Sequence, residues 1–197
     1  MLHRLPHLSL LTVALAAALA GCTTTAPTAT SAPATTQVTP AQDKAARLNA
    51  LYEQYWEEQL KLNPLAATFQ GDPRYNDQLP NFFSAEYRAQ ARAFTERWLR
   101  TIESVGSEGL DGQDLLSYEI FVRDAKLSLE GERFPGWQQP INQFYNFAAM
   151  AVQLGSGTGA QPFKTVQDYD NWRKRGARMP ELFDQSIANS RVGMQSG

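Results

Sequence analysis

The chain has almost none of the side chains that most often move protons or hold metals near neutral pH. Of its 197 residues one is a cysteine, Cys22, and two are histidines, His3 and His7. A single cysteine excludes a disulfide within the chain. Ser-His-Asp and Cys-His catalysis need an imidazole that titrates near neutrality, and zinc sites are built mostly from His and Cys. All three residues stand at the amino terminus. Excess positive charge is also missing. Lys and Arg number 18 against 20 Asp and Glu, a net of −2, which disfavours a polyanion such as nucleic acid as partner. No internal repeat is visible, and no apolar run reaches the roughly 20 residues of a bilayer-spanning helix.

What the amino terminus does contain is a leader. Residues 1–21 read MLHRLPHLSLLTVALAAALAG, with Arg4 near the start, an apolar run from Leu10 to Ala20 broken only by Thr12, and small residues at the end. This is the layout of a secretory signal peptide. Leu19-Ala20-Gly21-Cys22 resembles a bacterial lipobox. In such proteins the leader is cut before the cysteine, whose sulfur carries diacylglycerol and whose new amino group is acylated. Each buried CH₂ contributes about 0.8 kcal/mol, so several chains on one residue make a lasting anchor. An ordinary secreted leader with an incidental cysteine is the alternative. Thr23, rather than Asp, after the cysteine resembles the pattern of lipoproteins sent to the outer membrane. The expected location is therefore the bacterial cell envelope, attached through lipidated Cys22 and facing the periplasm.

Cleavage there removes both histidines, and the lipid occupies the only thiol. Arg4 leaves as well, taking the net charge from −2 to −3. The mature chain is thus expected to hold no catalytic residue of the imidazole or thiol kind, no metal ligand set and no cofactor. Carboxylate, lysine or tyrosine chemistry remains.

Residues 22–38 form a Thr/Ala/Pro-rich linker without charge. It buries too little apolar surface to offset the entropy of ordering. Residues 39–197 read as one helical domain. Thr39-Pro40-Ala41-Gln42 has the form of a capping box with proline in the first turn. Leu48, Leu51, Tyr52, Tyr55, Trp56 and Leu60 then recur at helical spacing. Asn63-Pro64 breaks this helix and opens a short one, LAATF. Ser84 opens a long helix striped by Tyr87, Ala91, Phe94, Trp98, Ile102 and Val105, which Gly106 and Gly109 end. Asp111 with Asp114 reads as a capping box for the next helix, whose stripe runs Leu115, Tyr118, Val122, Ala125, Leu129. Residues 132–163 are irregular around one apolar helical stretch, FAAMAVQL. Thr165-Val166-Gln167-Asp168 caps another helix, which Pro180 interrupts or restarts. No alternating strand pattern occurs. The expected fold is all-α, a multi-helix, bundle-like array, with Trp56, Trp98, Trp137 and Trp172 on or near helix contacts.

Few segments carry chemistry. GSGTGAQPF, from Gly155, lacks the strand-to-helix setting and the adjacent lysine of a phosphate loop and reads as a flexible surface loop. Glu53 and Glu57 share a helix face but lack a third ligand, so a solvated face is expected. Arg173, Lys174, Arg175 and Arg178 suit the carboxyl end of a helix and also read as a solvated face, with an acidic partner as the alternative. PINQFYNF, residues 140–147, differs: Asn142, Gln143, Tyr145 and Asn146 stand among apolar residues in a non-helical stretch. Polar groups so placed need partners when buried. They either satisfy local backbone or form the wall of a cleft.

LNPLAATFQGDPRYND, QDLLSYEIF, PINQ, QPFKTVQDYDNW and MPELFDQSIANSRVGM, in this order, resemble the bacterial family known as domain of unknown function 885. The resemblance runs from about Leu48 to the last residue. Family members are similar to all-helical zinc metallopeptidases and are much longer, with a His-Glu zinc motif well downstream of the region matched. The resemblance implies a helical part of a zinc-dependent peptidase-like protein that shapes a cleft for peptide substrate, inactive alone, with zinc expected only for the full-length family. No His-Glu-x-x-x-His-like segment is present, so no metal ligand carries over. The chain stops at Val192-Gly193-Met194-Gln195-Ser196-Gly197, within a helix that the family continues, and is expected to be the amino-terminal portion of a larger helical domain. A free-standing lipoprotein that acts as an interaction module in the envelope is the rival reading.

Overall fold

A computed structural model describes residues 39–196. The leader, Cys22 and the 22–38 linker lie outside the described residues. Among these residues there are seven α-helices and no strand, the all-α array expected. They are α1 (Pro40–Leu62), α2 (Pro64–Phe69), α3 (Ala85–Glu103), α4 (Gly112–Gly131), α5 (Phe147–Gly155), α6 (Val166–Gly176) and α7 (Met179–Ser196). No helix among them is long and apolar enough to cross a membrane.

The helix starts follow from local side-chain chemistry. Thr39 accepts from the Gln42 amide while Gln42 reaches back to the Thr39 amide, closing the capping box of α1. Asn63 caps α2 through the Ala66 amide at 3.2 Å, Ser84 caps α3 through Tyr87 at 3.1 Å, and Thr165 and Asp168 cap each other at α6. These bonds satisfy amides that a helix cannot pair internally. The α4 start departs from expectation. Asp111 occupies the cap position but makes no capping hydrogen bond. Gly112, which follows it, takes φ +47, a left-handed entry that turns the first helical amides out of the usual alignment with the cap side chain.

Two apolar clusters organise the array. In one, Leu48, Ile102 and Leu110 are buried with Leu51, Tyr52, Val105, Leu115 and Phe121 against them. This cluster fastens α1, α3 and α4. In the other, Leu65, Leu79, Phe83, Phe147, Leu154 and Leu182 are buried with Trp172, Met179 and Phe183 around them, joining α2, α5, α6 and α7. Pro180 sits in the first turn of α7, where its missing N–H costs nothing, and the break falls at residues 177–178. Helix α4 is anomalous. None of its residues is fully buried, and Leu116, Ile120 and Leu127 are each about half exposed. These residues repeat at helical spacing on one outward-leaning face.

Candidate binding groove

Helices α1, α3 and α4 leave a groove of about 640 Å³ between them. Its floor is aromatic because the three apolar stripes converge there. The Tyr55 ring meets Phe121 edge-on at 4.9 Å and Trp98 edge-on at 5.7 Å, and Tyr52 lies 5.6 Å from Phe121. Trp98 is buried, and its indole N–H donates to Glu58 at 3.2 Å. Glu58 is held in turn by Arg97, whose hydrogen bond, helped by that of Trp98, keeps the Glu58 carboxyl below its usual range against the opposing pull of desolvation. Arg97 also lies over the Trp98 ring at 5.1 Å. The tryptophan is therefore fixed by a charged pair behind it.

Trp56 is different. It lines the groove from α1 and is 42 % exposed. Expected on or near a helix contact, Trp56 borders the space between α1, α3 and α4 with part of its ring left open. Two carboxylates line the same groove, Glu53 from α1 and Asp124 from α4, and no basic side chain does. Neither has an ion-pair partner among the described residues, where most other carboxylates near a base are paired. Glu57, expected to share a face with Glu53, is instead gripped by Arg74 through both its oxygens, at 2.6 and 3.1 Å. Glu53 and Glu57 therefore do not converge on a cation. The Tyr52 hydroxyl is buried without a hydrogen-bond partner among the described residues. Burial, followed by the neighbouring Tyr118 and Asp114, raises its pKa.

The PINQFYNF segment lies apart from this groove. Asn142 accepts the Phe144 and Tyr145 amides, both at 2.8 Å, and Asn146 caps α5 through the amides of Ala148 and Ala149. These two side chains are engaged by local backbone. Gln143 is exposed. Tyr145 lines a cleft of about 380 Å³ that it shares with Leu65, Phe69, Phe82, Tyr87 and Met150. Burial raises the Tyr145 phenol above its ordinary pKa.

The basic run of α6 does not form one solvated face. Arg173 pairs with Asp170, Lys174 with Asp77 and Arg178 with Glu181, but Arg175 is completely buried. Its guanidinium donates to the Gln78 carbonyl at 3.0 Å, the Tyr75 carbonyl at 2.7 Å, the Thr68 hydroxyl at 2.9 Å and the Gln161 side-chain oxygen at 2.5 Å. No carboxylate bonds to it directly. Burial pushes its pKa down to about 10, opposed by Asp77, so it stays charged at neutral pH. Gln161 belongs to the glycine-rich segment read as a flexible loop. It is instead buried, because its oxygen is one of the acceptors that Arg175 requires.

Among the described residues no group of three or more His, Cys, Asp or Glu converges as a metal site. The side chains of the described residues therefore do not fit the zinc implied by the resemblance.

The sequence profile described as bacterial protein of unknown function (DUF885) matches residues 64–197. The chain belongs to the DUF885 family. The match begins at Pro64, later than the Leu48 start read from the motifs, so α1 precedes it and α2 to α7 fall within it. The whole Arg175 network lies inside the family region, whereas the aromatic groove takes its α3 and α4 walls from that region and its α1 wall from outside. No curated protein and no solved structure matches the chain.

Proposed function

We propose that this DUF885 protein is a lipid-anchored cell-envelope protein, fastened through acylated Cys22 to the periplasmic face of the outer membrane. Its helical domain is a substrate-holding portion of a zinc-dependent peptidase-like protein and lacks the metal chemistry itself. The observation that carries the anchor is Leu19-Ala20-Gly21-Cys22 at the end of the leader of residues 1–21. Peptide holding is supported by the aromatic, acid-lined groove between α1, α3 and α4. Such concave, mostly apolar sites with a few placed polar groups are the usual form of ligand sites.

Membrane fractionation tests the anchor. The wild-type chain is expected in the membrane fraction and the Cys22→Ala chain in the soluble fraction. A Cys22→Ala chain that still partitions with membranes contradicts it. Zinc added to the full chain is expected neither to bind stoichiometrically nor to induce peptide hydrolysis, and stoichiometric zinc retention contradicts the substrate-holding assignment.

A free-standing interaction module is the second reading. It is favoured by helices that close with their own caps at Thr39, Ser84 and Thr165. A single cooperative melt of the full chain without binding of a hydrophobic dye supports it. Dye binding at the temperature of the native baseline speaks against it.

A further inference from the structure

We propose that the groove between α1, α3 and α4 takes the basic side chain of a peptide, lysine or arginine, with apolar neighbours of that residue lying along α4. The inference deepens the substrate-holding reading and rests on it.

Three observations converge. The groove contains Trp56, a ring partly open to solvent, beside the fixed rings of Tyr55, Trp98 and Phe121. Aromatic faces attract cations through their quadrupole, most strongly for tryptophan and most strongly where water is excluded. The only charged side chains lining the groove are Glu53 and Asp124, both without an ion-pair partner among the described residues. The charge lining it is thus wholly negative and uncompensated, and the complementary ligand carries a cation. The third observation is size. About 640 Å³ is far more than one small organic cation fills, so a compact quaternary ammonium leaves most of the apolar lining wet. A peptide segment fills it and continues over the exposed face formed by Leu116, Ile120 and Leu127.

Outside the groove, Arg88 already lies over the Trp137 ring at 4.4 Å, and within it Arg97 covers the buried Trp98 from behind. Trp56 has no such cation among the described residues, so its accessible face is free for an external one.

The experiment is calorimetric titration of the full chain, in detergent micelles, with the blocked peptide acetyl-Leu-Lys-Leu-Phe-amide and its twin carrying norleucine in place of lysine. The lysine peptide is expected to bind at least ~10-fold more tightly than the twin. That preference is expected to shrink as ionic strength rises to about 0.5 M, since screening weakens partly exposed charge pairs. In the Glu53→Gln/Asp124→Asn variant, whose positions are exposed and whose volumes are unchanged, the preference disappears while the thermal melt stays as in the wild type. Trp56→Ala weakens both peptides but the lysine peptide more. Equal affinity for the two peptides, or a preference kept by the double variant, overturns the proposal. Choline chloride that binds as tightly as the lysine peptide overturns the choice of a peptide. Because binding is read without any hydrolysis, a failure of the peptidase reading leaves these outcomes unaffected.

Discussion

Arg175→Ala is expected to destabilise the chain by about 3–5 kcal/mol, combining a large-to-small cavity with buried acceptors left unpaired. Arg175 is fully buried and makes four hydrogen bonds that tie α6 to the segment from Thr68 to Gln78 and to Gln161. Removing it strands the Gln78 carbonyl and the Gln161 oxygen, while the Tyr75 carbonyl keeps only the Gln78 amide at 3.0 Å. It also removes the donor to the Thr68 hydroxyl oxygen, which still donates to Asn76 at 2.8 Å. Arg175→Lys is expected to recover only part of the loss, because a compact ammonium does not reproduce a planar fork aimed at several acceptors. Gln161 already has a side-chain nitrogen without a partner among the described residues. Pairing Arg175→Met with Gln161→Leu is therefore expected to be less damaging than the sum of the two single changes, since both sides of one bond become apolar. Urea unfolding of the five variants (Arg175→Ala, Arg175→Lys, Arg175→Met, Gln161→Leu and the Met/Leu double), followed by circular dichroism, measures each term. Wild-type stability in Arg175→Ala contradicts the assignment of this residue as the tie between α6 and the α2 region.

The second large effect is expected at Phe147→Ala, again about 3–5 kcal/mol for a buried phenylalanine cut to a methyl group. Phe147 is 1 % exposed and begins α5. Its ring meets Phe82 and Phe83 edge-on at 5.5 and 5.9 Å and Phe183 at 5.2 Å, and such pairs contribute about 0.5–1.5 kcal/mol beyond area burial. The substitution therefore opens the centre of the cluster joining α2, α5, α6 and α7. Phe147→Leu is expected to cost roughly half as much, because most of the volume is kept. The groove belongs to the other cluster, built on Leu48, Ile102 and Leu110. Peptide affinity in Phe147→Ala, measured where the variant is still folded, is expected to match that of the wild type.

The helices were legible because each carries its own punctuation. Thr39, Asn63, Ser84 and Thr165 are short-range caps, and a cap acts within one turn. The Asp111 box failed for an equally local reason: glycine at 112 permits a left-handed entry that most residues resist. The burial of Arg175 was not legible. Three of its four acceptors, on Thr68, Tyr75 and Gln78, lie 97 to 107 residues away in sequence, and four basic residues in one stretch ordinarily face water. Only the fold reveals that one of them turns inward. The groove was half legible. Tyr52, Tyr55, Trp56 and Glu53 stand together on α1, but periodicity alone does not separate a stripe that is wholly covered from one whose edge stays open. That distinction depends on α4, whose Ile120 and Asp124 line the groove opposite the α1 residues. In PINQFYNF the sequence located polar side chains among apolar ones. Their division between backbone caps and a cleft followed from the turn that Asn142 forms with Phe144 and Tyr145.

The most direct test of a lipid-anchored chain free of imidazole and thiol is the intact mass of the protein purified from bacterial membranes. The expected species begins at Cys22 and carries the added mass of a diacylglyceryl group and an amide-linked acyl chain. A species that still contains His3 and His7 and an unmodified Cys22 contradicts the proposed anchor and restores the side chains on which a different chemistry would rest.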